Sequence, residues 1–94
     1  MRAMVLTGPG ELALDSVEQP APSADQVLVH VTHSGICGTD YKIFNGSIPV
    51  HYPLIPGHEM AGEVVDPGGN AAFKSGDRVI IDPELYCGAC FHCR

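Results

Sequence analysis

The amino-acid sequence predicts a small, mainly β domain: a barrel or sandwich of about five short strands with short helical segments. Three observations predict it. Apolar residues recur in short alternating runs such as QVLVHVTHS, the period of a strand. Eleven glycines and eight prolines among 94 residues break the chain into short pieces and leave little room for long helices. The runs are also evenly spaced and bounded by turn residues.

Taken in order, RAMVLT and LALDSV flank GPGE and read as a hairpin with a glycine-rich turn. The stretch GPGELA (Gly8 to Ala13) also fits the GxGxxA spacing of a dinucleotide fingerprint. That fingerprint needs a helix whose N-terminus receives the pyrophosphate, whereas LALDSVEQP alternates like a strand and runs into Pro20. GPGE is therefore expected to be a hairpin turn. QPAPSAD is a proline-rich connector unsuited to a sheet interior. In QVLVHVTHS, Val27, Val29 and Val31 alternate with Leu28, His30 and Thr32, which predicts a strand with one strongly apolar face. CGTDYKIFNG predicts a short helix, with Thr39 or Asp40 placed to cap it and Gly46 to end it. HEMAGEVVD and DRVIIDP predict two further strands, separated by the turn-rich PGGNAAFKSG.

Composition excludes some function classes. The net charge is −6 and five Lys and Arg are scattered along the chain, so a phosphate-binding surface and a nucleic-acid partner are not expected. No apolar run approaches a membrane span or a signal peptide, so no membrane partner is expected and a cytoplasmic address is the default. In that compartment cysteines serve metals or catalysis more often than disulfides.

Two groups of residues carry metal chemistry. Cys87, Cys90 and Cys93 fall at CxxC spacing, which lets thiolates converge on one tetrahedral zinc, and Gly88 supplies the tight backbone of such a knuckle. His92 adjoins Cys93, and neighbours rarely face one ion, so a fourth ligand is expected beyond Arg94. The second group joins Cys37 to PGHEMAG. Gly62 stands where HExxH would need its second histidine, which removes a metallopeptidase helix. His58 and Glu59 are adjacent and on a strand would face opposite ways; a turn or bulge at Pro56-Gly57 would aim them together. Taken alone, His58 reads as a structural histidine. With Cys37 and a carboxylate it suits a zinc with an open position. His30, His33 and His51 lack motif support, and Arg78 reads as structural.

GHEMAGEVVDPGGNA fits a GHExxGxxxxxG pattern through Gly57, His58, Glu59, Gly62 and Gly68, and with GICGTD, SGDRV and CGACFHC, in that order, it resembles the zinc-containing medium-chain alcohol and polyol dehydrogenases. The likeness runs from Met1 to Arg94. It implies a GroES-like β-barrel over residues 1–94, the N-terminal part of a catalytic domain, with the nucleotide-binding domain outside these residues. It implies Cys37 and His58 as catalytic-zinc ligands, and Glu59 as a third ligand or a nearby carboxylate that exchanges with water. Thr39 would relay the alcohol proton, and Asp40 would hydrogen-bond His58 and fix its tautomer. Without the motif, Thr39 and Asp40 read as helix caps and Glu59 as a solvated strand residue. Cys87, Cys90 and Cys93 would be three of four structural-zinc ligands. Lys42 departs from the pattern, standing where these dehydrogenases often carry a histidine.

The resemblance further implies a homo-oligomeric parent enzyme, dependent on NAD or NADP, that oxidises a small-molecule alcohol or polyol with zinc as Lewis acid. The 94-residue chain alone, with no site for the hydride acceptor, is expected to be inactive. The competing expectation is a non-enzymatic zinc-binding β-barrel that assembles with itself or another chain.

Overall fold

The computed structural model describes residues 1–94. β1 (Arg2–Gly8) and β2 (Glu11–Ser16) pair antiparallel across the turn at Pro9-Gly10. Gly10 takes φ +75°, a conformation that glycine enters without a Cβ penalty. GPGE is thus a hairpin turn, and strand residues follow it.

β3 (Leu28–Gly35), β4 (Glu59–Asp66) and β5 (Arg78–Ile81) form a second antiparallel sheet in the order β3–β4–β5. The β1–β2 hairpin is tied to the segment before β4, where Leu6 and Leu54 exchange backbone hydrogen bonds of 2.7 and 2.9 Å. Between β3 and β4 lies the one α-helix, α1 (Gly38–Phe44). A single 3-10 turn, Phe91–Cys93, closes the chain. No helix is long and apolar enough to cross a membrane.

The apolar core is thin. Leu6 is fully enclosed, and Val5 and Val64 are nearly so. The radius of gyration, 15.3 Å, exceeds the roughly 12 Å expected of a compact chain this long. The valine alternation of β3 accordingly does not make a uniformly buried face: Val29 is half-buried, while Val31 is 41% exposed. Register shifts between Leu28 and Val29 and between Val31 and His33 interrupt the alternation.

Close approach of β3 and β4 depends on Gly62, which is buried. A Cβ there would strike the His30 carbonyl oxygen and crowd Val29. A strand glycine often marks such an approach of two backbones.

The helix is capped differently from the sequence expectation. Spacing offers Thr39 or Asp40 as the cap; the structure gives that position to Cys37, in extended backbone at φ −110°, ψ 171°. The Thr39 N–H donates to Cys37 Sγ at 3.3 Å, and the Cys37 N–H donates to Asp40 Oδ2 at 3.0 Å. The reciprocal pair is a capping box with sulfur in place of the usual hydroxyl. Gly46 at φ +84° follows the last turn, where its N–H donates to the Ile43 carbonyl, and ends the helix as its position suggests.

Candidate metal centres

The cap brings α1 into the first centre. Cys37 sits where β3 gives way to the helix, and its Sγ lies 3.2 Å from His58 Nε2, 21 residues away. His58 itself precedes β4, which begins at Glu59. Gly57, at φ +119°, turns the chain just before it, so the alternation of a strand does not yet govern His58. Adjacent residues that a continuous strand would separate therefore converge. One donor atom each from Cys37, His58 and Glu59 lies within 4.8 Å of the others. Cys37 and His58 are half-buried and Glu59 is exposed, which leaves one side of the group open.

Behind the imidazole stands Asp40. Its Oδ1 lies 3.2 Å from His58 Nδ1 and is otherwise buried without an aligned hydrogen-bond partner, while Oδ2 holds the Cys37 N–H. The carboxylate therefore fixes both the helix start and the histidine ring. Electrostatics follow the same geometry. The Thr39 hydroxyl, then its backbone N–H, hold the Cys37 thiol below its ordinary range. Partial burial works against charge on His58, but Cys37 and then Asp40 outweigh it and raise the imidazole above its usual value.

The second centre is local. Cys87 Sγ lies 3.8 Å from Cys93 Sγ, and Cys90 Sγ lies 3.4 Å from Cys93 Sγ. Two backbone N–H groups, of Ala89 and Cys90, donate to Cys87 Sγ at 3.4 and 3.3 Å. Gly88, at φ +71°, makes the turn that aims them. These donors, the Ala89 N–H first, bring the Cys87 thiol down to about 7.

Both donor sets fit a tetrahedral ion. Zinc bonds of 2.0 to 2.3 Å place neighbouring ligand atoms about 3.5 Å apart, close to the 3.2 Å between Cys37 Sγ and His58 Nε2 and the 3.8 and 3.4 Å from Cys93 Sγ to Cys87 Sγ and Cys90 Sγ. All four cysteines are free thiols.

The sequence-selected residues separate clearly. Cys37, His58, Glu59 and Asp40 gather at the first centre, and Cys87, Cys90 and Cys93 at the second. Thr39 is exposed beside the first centre, its N–H on the Cys37 sulfur. The cap role of Cys37 differs from the Thr39 or Asp40 that spacing offers; its signal in the sequence is Asp40, three residues on, in the capping-box position.

Residues 23–94 match the family model described as the alcohol dehydrogenase GroES-like domain. The chain belongs to that family. Across its whole length this GroES-like domain is 42% identical to an NAD-dependent alcohol dehydrogenase of Sulfolobus acidocaldarius. It is 38% identical over 99% of its length to a sorbitol dehydrogenase of Halalkalibacterium halodurans. It spans 30% and 28% of those two proteins. Among solved structures, a thermostable alcohol dehydrogenase from Pyrobaculum aerophilum superposes at a TM-score of 0.91, with 37% identity over 99% of this chain and 29% of that one. A cobalt- and zinc-bound thermostable alcohol dehydrogenase from the same organism superposes at 0.89, with 36% identity over 99% of this chain and 30% of that one. The mainly β, GroES-like fold class read from the sequence is the one observed.

Proposed function

We propose that residues 1–94 form the zinc-holding N-terminal part of the catalytic domain of an NAD(P)-dependent alcohol or polyol dehydrogenase. The observation that carries this reading is the convergence of Cys37, His58 and Glu59 within 4.8 Å, with Asp40 behind the histidine. The alcohol and sorbitol dehydrogenase relatives support the reaction class, and the cobalt- and zinc-bound neighbour supports the metal.

In this reading Cys37 and His58 hold a catalytic zinc, and Glu59 is a third ligand or an adjacent carboxylate that exchanges with water. Zinc, when bound, polarises the substrate oxygen as a Lewis acid and eases ionisation of the alcohol. Asp40 keeps the His58 proton on Nδ1, which leaves the Nε2 lone pair on the side of Cys37. The Thr39 side chain, exposed beside the sulfur, takes and passes on the alcohol proton. NAD or NADP would accept the hydride on residues outside these 94, so this stretch alone is expected to be inactive. Cys87, Cys90 and Cys93 supply three ligands to a structural zinc, and the Ala89 and Cys90 N–H groups offset charge on the first of them. A cytoplasmic address goes with this reading, because cysteines in that compartment serve metals or catalysis more often than disulfides.

The test uses the full gene product, purified with zinc and assayed for nicotinamide reduction against a panel of alcohols and polyols. Turnover that C37S and H58A each abolish is expected. Turnover that survives both substitutions would sink the assignment.

A further inference from the structure

Gly35 and Glu59 are paired across β3 and β4, and the Glu59 side chain lies over the α-carbon of Gly35. A Cβ built on Gly35 would stand 2.6 Å from Glu59 Oε2, 3.2 Å from its Cβ and 3.7 Å from its Cδ. The three atoms span the side chain, so the carboxylate runs back across the strand through space that only a glycine leaves free. That course brings it to within reach of Cys37 Sγ and the His58 ring.

Backbone conformation does not explain the glycine. Gly35 is absent from the positive-φ glycines, which are Gly10, Gly46, Gly57, Gly68, Gly76 and Gly88. Alanine is therefore free to adopt the same backbone, and only the space over the α-carbon is at issue. Gly62 on the facing strand is the instructive contrast, because there the obstructing atom is a backbone carbonyl that cannot move without opening the sheet. At Gly35 the nearest atom is the end of a flexible side chain, which can swing away, and the Glu59 Cβ at 3.2 Å need give by only a few tenths of an ångström.

We infer that Gly35 is a positioning residue for Glu59: its missing side chain is what lets the carboxylate reach the Cys37–His58 centre. A methyl group there would leave the sheet intact and turn Glu59 outward. This rests on the reading of Cys37, His58 and Glu59 as a zinc centre.

The test measures occupancy at that centre alone. The full gene product is titrated with zinc and treated with iodoacetamide, and alkylation of Cys37 is read by peptide mass spectrometry, which separates it from every other cysteine. G35A is expected to raise the zinc concentration that half-protects Cys37 by about tenfold, as loss of an orienting group typically does. E59A is expected to do the same, and the G35A/E59A double variant no more than E59A alone. G35A should keep the wild-type far-UV circular dichroism. Protection unchanged in G35A, or a further loss when G35A is added to E59A, would overturn the inference while leaving the zinc centre standing. A G35A chain that loses its far-UV spectrum would overturn it too, because the backbone rather than the carboxylate would have yielded. A wild-type Cys37 that zinc never protects would overturn the zinc reading, and the inference with it.

Discussion

Asp40 joins two parts of the molecule that the chain keeps 18 positions apart: its Oδ1 lies 3.2 Å from His58 Nδ1 while its Oδ2 accepts the Cys37 N–H at 3.0 Å. One carboxylate thus starts the helix and orients the ring, and the sulfur that caps the helix is the sulfur beside the ring.

Removing that carboxylate should show in both roles. D40A is expected to raise the zinc concentration needed to protect Cys37 from alkylation by about 10- to 100-fold. It should also lower stability by about 1 kcal/mol through the lost cap partner, read by urea denaturation of the metal-free chain. Unchanged protection would mean that His58 is held by something other than Asp40.

At the second centre the expected signature is a pH profile. Cys87 ionises at about 7 in the metal-free chain, well below an ordinary thiol, because backbone N–H groups favour its thiolate. Its alkylation rate should rise through pH 7 and level off above it. Because zinc binds the thiolate, zinc affinity should weaken more steeply as pH falls below about 7. A Cys87 alkylation rate that begins to rise only well above pH 7 would count against the hydrogen bonds assigned to it.

Zinc removal should loosen one segment only. Leu85, Tyr86 and Phe91 are largely exposed, so little apolar burial holds the chain around Cys87, Cys90 and Cys93. Amide hydrogen exchange with and without a chelator is expected to speed up across residues 87–93, while the buried Val5, Leu6 and Val64 stay protected. Uniform loss of protection would instead make the second centre a keystone of the whole fold.

Two glycine substitutions should differ sharply. G62A forces a methyl into the His30 carbonyl and is expected to cost about 1–3 kcal/mol, the range for overpacking. G38A meets nothing within 4 Å at the first helical position and is expected to be neutral or stabilising by up to about 1 kcal/mol. Urea denaturation followed by far-UV circular dichroism measures both. Equal effects would show that the β3 and β4 backbones do not approach closely at Gly62.

Much of this was legible along the chain. The hairpin at Pro9-Gly10, the strands of the second sheet and the helix ended by Gly46 follow from local periodicity and turn residues, which act over a few positions. The cysteine trio was legible for the same reason, since Cys87, Cys90 and Cys93 need only one turn to meet. The first centre was legible as candidates and not as geometry. The cap role of Cys37 is local, and Asp40 three residues on is its only signal along the chain. The packing of Glu59 over Gly35 cannot be read from spacing, because it depends on which residues of β3 and β4 stand opposite each other after two register shifts.

The sequence by itself therefore determined the mainly β class, the turns and the identity of the donor residues, because side-chain chemistry and short-range backbone preference are written residue by residue. Tertiary structure alone decided that His58 and Glu59 face one way, that Asp40 stands behind the ring, and that Gly35 leaves room for a carboxylate. Those outcomes rest on strand register and on one positive-φ turn at Gly57, which fix distances between residues some 20 positions apart.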